Sequence, residues 1–226
     1  LNAEILKNQW VIIGAIGALA LIVLLVVLFV LFRSPRAGKA AVINLTGEGT
    51  PETWSQDIYA ALTERIRKLS RKRRSILFAS AEPEHLPAAI PAAVAGILAK
   101  AGKKCLLVDL DLVNDSAAKT FHIGAGQAEL PGKVVSTRIE NLSVWPAHNF
   151  IRLNQMNVRE IVEKAQDKFD IILLNAPALL NSPDSRHILS AATCAFICTK
   201  GQAKSTALVE LINESDCKLI GDIRIP

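Results

Sequence analysis

Six short stretches of this chain are apolar almost from end to end: "SILFAS", "KCLLVDL", "LSVW", "DIILLNA", "CAFICT" and "KLIGDI". A strand with one wet face alternates apolar and polar residues, whereas a continuous apolar run is covered on both faces. Helical stretches separate most of these runs, over residues 88–100, 155–168, 182–192 and 204–214. Ahead of the first run, "TWSQDIYAALTERIRKLS" places Trp54, Ile58, Ala61, Leu62, Ile66 and Leu69 at helical spacing. Buried strands alternating with helices predict an α/β domain, a mostly parallel sheet with helices on both faces. Half of the 226 residues are hydrophobic, enough for a sizeable core.

Part of that hydrophobicity sits elsewhere. "VIIGAIGALALIVLLVVLFVLF", Val11 to Phe32, is an uncharged apolar run of 22 residues. As a helix it spans roughly 30 Å, the thickness of a bilayer's hydrocarbon. No cleavage site of small residues accompanies it, so a transmembrane helix is expected rather than a signal peptide. Lys7 precedes the run and is offset by Glu4, whereas Arg33, Arg36 and Lys39 follow it. The positive-inside rule then puts residues 1–10 outside as a short periplasmic N-terminus and the long C-terminal part in the cytoplasm. Residues 33–51, "RSPRAGKAAVINLTGEGTP", carry Gly, Pro and Thr without sustained periodicity and are expected to be a linker. The domain is expected over residues 52–226.

Charge is uneven along the chain. Residues 1–74 hold 11 Lys and Arg against 5 Asp and Glu, while the rest hold 15 against 16. Most of the excess lies in "RIRKLSRKRR", which includes Arg71, Lys72, Arg73 and Arg74. Without interleaved aromatics and beside a span, this run suits anionic lipid headgroups better than nucleic acid, and no nucleic-acid partner is expected. A solvated helix end favoured by the macrodipole fits the same residues. The four cysteines fall in or before apolar strands and are expected to be reduced core residues. The four histidines form no pair at metal spacing, and no metal or cofactor is assigned.

The chemistry-bearing stretch is "SAEPEHLPAAIPAAVAGILAKAGKKCLLVDLDL", residues 80–112. A strand, a loop, an Ala-rich helix, a second strand and two aspartates have the outline of a phosphate-binding loop and its metal site. The loop resembles S-A-x-P-G-E-G-K-S-T, the P-loop of the bacterial tyrosine kinases of capsule and exopolysaccharide export. Those kinases are related to the partition and division-site ATPases. "SAEPEHLPAA" lies against that pattern without a gap. "AGKKCLLVDLDL", "IENLSVWPA", "FDIILLNAPALLNSPDS" and "GQAKSTALVE" resemble the family's later motifs in the same order, from about Asp57 to the end.

The resemblance implies a P-loop ATPase fold behind one membrane anchor, and it also marks what has been lost. Glu84 stands at the first loop glycine, Leu86 at the second, Pro87 at the lysine and Ala88 at the magnesium-binding hydroxyl. Asn175 stands at the Walker B aspartate. Asp109 and Asp111 keep the family's two carboxylates, with Val113 where an arginine often follows. A carboxylate repels phosphate, a proline lacks both the ammonium and a backbone donor, and an alanine cannot hold Mg²⁺. Ala60 and Thr63 replace two arginines that form subunit contacts in the family's ring, so the resemblance implies no homo-octamer. One tyrosine, Tyr59, stands in place of a tyrosine-rich tail.

"QAKST", residues 202–206, imitates a Walker lysine but lacks both glycines, and reads as a helix N-terminus. The expectation is therefore a catalytically inactive, kinase-like scaffold in the bacterial inner membrane. Its partners would be lipid and one or more membrane proteins, in polysaccharide assembly or export. Two alternatives stay open. One is a non-hydrolysing nucleotide switch that uses Asp109, Asp111 and Lys204; the other is a structural subunit of an unrelated membrane complex.

Overall fold

All six apolar runs are strands, and two further strands lie where no run announces them. The computed structural model describes residues 40–47, 50–69, 75–82, 85–111, 114–123, 134–146, 158–176, 178–201 and 205–226. In chain order the strands are β1 (Ala41–Asn44), β2 (Ser75–Ser80), β3 (Cys105–Asp109), β4 (Val135–Ser136), β5 (Leu142–Trp145), β6 (Ile171–Ala176), β7 (Cys194–Lys200) and β8 (Lys218–Ile225). The helices are α1 (Ala60–Leu69), α2 (Ala89–Lys100), α3 (Ser116–Thr120), α4 (Val158–Ala165), α5 (Ser185–Ala191) and α6 (Thr206–Asn213).

One eight-stranded sheet runs in the order β1-β8-β7-β2-β6-β3-β5-β4. Every neighbouring pair is parallel except β4 with β5. The central strands are buried at every position of β2, β3 and β6, as continuous apolar runs require. Alternate side chains feed two cores. On one face Ile76, Phe78, Leu107, Leu173 and Phe196 pack with Leu62 and Ile66 of α1 and Ile90, Val94 and Leu98 of α2. On the other, Leu77, Leu106, Leu174 and Ile197 meet Val158 and Val162 of α4, Ile188 and Leu189 of α5, and Leu208 and Ile212 of α6. The expected layers are thus present.

The linker expectation needs correction. Ala41–Asn44, inside residues 33–51, pairs in parallel with β8, and Leu45 is buried behind it. Four residues ending in Asn are too short to display a period, so the sheet rather than the local sequence makes this strand. The domain therefore begins ahead of residue 52. Residues 1–39, with the span over 11–32 and the flanking Arg33, Arg36 and Lys39, lie outside the described residues, as do Arg71, Lys72, Arg73 and Arg74. Among the described residues no helix is long and apolar enough to cross a membrane.

A bulge adjusts β8 to its neighbour. Ala195 pairs with Leu219 but Phe196 pairs with Gly221, leaving Ile220 as the extra residue. Arg65 of α1 donates from Nη2 to the Ile220 carbonyl at 2.8 Å, so a helix side chain satisfies the backbone there. Gly221 is required beside it: a Cβ would lie 2.6 Å from the Phe196 ring. All four cysteines are buried and none is in a disulfide, and burial pushes the Cys105 thiol up to about 12.

Candidate functional site

In a parallel sheet, loops at the carboxyl ends of the strands gather along one edge, where ligands of open α/β sheets bind. The sequence-predicted residues meet there. Asp109 closes β3, and Asn175 stands one residue before the end of β6, directly opposite it in register. Asp111 follows β3 by two residues. Leu86, Pro87 and Ala88 lead from β2 into α2. Glu84, Val113 and Lys204 lie outside the described residues.

Asp109 is fully buried, and its carboxylate is spoken for on both oxygens. Oδ1 accepts from the Asn175 amide Nδ2 at 2.9 Å and from the Asp111 backbone N–H at 3.1 Å. Oδ2 accepts from the Ala117 N–H at 2.7 Å, and the Ser116 hydroxyl reaches both oxygens at 3.3–3.4 Å. Ala117 is the second residue of α3, so Asp109 caps that helix from a neighbouring strand. The residue at the cap position itself, Asp115, adopts a left-handed backbone and makes no side-chain cap. Burial raises the Asp109 carboxyl to about 6, against the pull of the Ala117 and Asn175 donors.

Asn175 joins the cluster by its donor side only. Nδ2 also donates to the Ser116 hydroxyl at 3.1 Å, while Oδ1 is buried with no hydrogen-bond partner among the described residues. Asp111 is turned toward its own loop: it accepts from the Asn114 backbone N–H at 3.1 Å and from Asn114 Nδ2 at 3.0 Å. Among the described residues no group of three or more His, Cys, Asp or Glu side chains is placed to hold a metal ion.

The loop after β2 is held from within. Ser80, fully buried, donates to the Glu82 carbonyl at 2.6 Å and accepts from the Ala178 N–H at 3.3 Å, tying the β2 and β6 loops together. Leu86 is only 3% exposed and packs in the same core as Ile90. Helix α2 starts at Ala89, one residue inside the helical stretch expected over 88–100, and Ile90 N–H bonds the Pro87 carbonyl at 3.0 Å. Pro91 is the third helical residue. Its missing N–H falls among the first-turn donors that have no intrahelical partner, so it causes no kink.

Sequence reasoning placed Asp109, Asp111 and Asn175 on one edge but missed Ser116, Asn114 and Ser80, which complete their hydrogen bonding. The available signal was "NDSAAK", capping residues ahead of a short helix. Of the two positions that stand at the family's ring arginines, Thr63 is 8% exposed within α1's buried face and Ala60 is exposed.

No family model matches the chain, and no curated protein matches it in sequence. Solved structures do share its fold. The chimerical protein CapA2B2 superposes with a TM-score of 0.64 at 16% identity, over 82% of this chain and 93% of that one. The BceF tyrosine kinase domain gives 0.60 at 18%, over 75% of each chain. The kinase domain of the Escherichia coli tyrosine kinase ETK gives 0.58 at 16%, over 74% and 72%. The septum site-determining protein MinD from Pyrococcus horikoshii, complexed with Mg-ADP, gives 0.55 at 18%, over 67% and 69%. At these identities the likeness is one of fold: this chain has the α/β fold of P-loop tyrosine kinase domains and of MinD.

Proposed function

We propose that the chain is a degenerate member of the bacterial tyrosine kinase family that neither binds nor hydrolyses ATP and serves as a membrane-tethered scaffold. The observation that carries this reading is the Asp109–Asn175 pair. An amide now faces the surviving carboxylate at 2.9 Å, and protein donors engage both carboxylate oxygens. A divalent ion would have to displace them and would gain no second charge from Asn175. The loop side agrees. Leu86 is packed in the core where the family pattern has glycine, Pro87 offers no ammonium, and Ala88 offers no hydroxyl. A magnesium nucleotide does not fit this donor set, so no catalytic step is derived.

In this reading the span over 11–32 anchors the chain in the inner membrane. Arg33, Arg36, Lys39 and Arg71, Lys72, Arg73 and Arg74 meet anionic lipid, and the carboxyl edge of the sheet docks a protein partner of polysaccharide assembly or export. The chain forms no kinase-type ring by itself. The test is a quadruple revertant carrying Glu84→Gly, Leu86→Gly, Pro87→Lys and Ala88→Ser. It is expected to show no ATPase activity while Asn175 remains; hydrolysis at a kinase-like rate would mean that the cleft was intact.

A further inference from the structure

Strand β1 ends the sheet on one side, pairing with β8 and with no other described strand. Leu45 N–H donates to the Arg224 carbonyl at 2.8 Å. Alternate residues of a parallel ladder face the neighbour, so Ile43 and Ala41 also turn their backbone toward β8. Val42 and Asn44 turn theirs outward, where no described strand meets them. They are also the two exposed residues of β1, Val42 at 50%. Sheets blunt an open edge with charge, proline, a bulge or a covering element. Ala41–Asn44 carries no charge and no proline, and the bulge among the described residues lies further in, between β7 and β8.

We infer that β1 pairs with β1 of a second copy of this chain, antiparallel about a two-fold axis through Ile43. In that register Val42 stands opposite the partner's Asn44, and the outward N–H and C=O of both residues are paired. Ile43 meets the partner's Ile43 at the axis. It already packs against the core under α1 and α2, so that core continues across the seam.

A second copy is the occupant because the edge is complementary to itself. Val42 lies beside Asp222 and Asn44 beside Arg224, whose side chains pair at 3.2 Å. With the axis at Ile43, each row across the seam runs from Asp222 to the partner's Arg224. An axis at Val42 would set Asp222 against the partner's Asp222, and one at Asn44 would set arginine against arginine. Across three strand spacings, about 14 Å, the term is small, but its sign is favourable in this register and not in those two. The other edge of the sheet matches less well, since β4 has only two residues. A two-fold pair closes on itself and is not a kinase-type ring. The pairing goes beyond the scaffold reading and does not depend on it.

The test compares the full chain with Val42→Pro, both in detergent micelles, by sedimentation equilibrium. The proline removes an outward N–H from each copy and no bond between β1 and β8, so the fold should stand. The unsubstituted chain is expected to be a dimer, which Val42→Pro should weaken by about tenfold or more. Register is read by mixing differently tagged Val42→Cys and Asn44→Cys chains. Opposite residues of this ladder lie about 5.5 Å apart, within disulfide reach. Mild oxidation should therefore join the two kinds of chain in preference to either with itself, while the native cysteines, all buried, stay silent. A monomeric unsubstituted chain would overturn the pairing and leave the edge to another protein's strand. So would a dimer that a folded Val42→Pro keeps, because another surface, such as the apolar run over 11–32, would then hold it. Should Val42→Pro fail to fold, the cross-links decide, and no preference for the mixed pair overturns the inference.

Discussion

At the scale of single residues, the retention of Asp109 is explained without catalysis. Its carboxylate caps α3 through the Ala117 N–H and fixes Asn175 and Ser116, so replacing it would leave several buried donors unpaired. Burial raises its carboxyl from 3.8 to about 6, which makes stability depend on pH in a definite direction. Between those values the folded chain holds a proton that the unfolded chain has released. The resulting stabilisation is fully present below the unfolded value and is lost as pH rises through about 6. From pH 5 to pH 7 the loss amounts to about 1 kcal/mol. Urea unfolding of wild type and Asp109→Asn at both pH values should show the wild type losing that much relative to the variant. Parallel pH dependence of the two would contradict the assignment. Asn175 was identified from its place in a motif, but its partnership with Asp109 was not legible. That pairing follows from the register of two strands 66 residues apart in sequence.

At the scale of elements, the segment between β2 and α2 contributes Leu86 to the core. Leu86 contributes apolar burial where a phosphate loop must leave room for backbone to approach a ligand. Leu86→Ala should therefore cost about 2–4 kcal/mol, in the range of core truncations. Pro91→Ala should change stability by less than about 1 kcal/mol, because a proline in the first helical turn removes no intrahelical bond. Thermal unfolding of both variants checks the contrast; a costly Pro91→Ala with a harmless Leu86→Ala would mean that the loop is not part of the core. The helix start near residue 89 was legible because an Ala-rich stretch opens directly after Pro87. The strands from β2 onward were legible except β4, because double-sided burial writes itself as continuous apolar sequence. Strands β1 and β4 were not, since two to four residues carry no period and their pairing is dictated by β8 and β5. Helix α3 escaped for a related reason: five residues held by a remote aspartate need little helical signal of their own.

At the scale of the whole molecule, the sheet shares its fold with tyrosine kinase domains and MinD, and the Asp109–Asn175 cluster stands at the carboxyl ends of its strands. The proposed anchor gives the chain a direction: residues 1–10 outside, everything from Arg33 inside. A cysteine introduced by Asn2→Cys should react with an impermeant thiol reagent in intact cells, while the four native cysteines, all buried, stay silent. Protection of that cysteine until lysis would reverse the topology. The central claim is that this edge no longer takes a nucleotide, and calorimetric titration of the purified full chain with ATP and ADP in the presence of Mg²⁺ tests it most directly. The account predicts no binding heat; a micromolar dissociation constant for either nucleotide would contradict it.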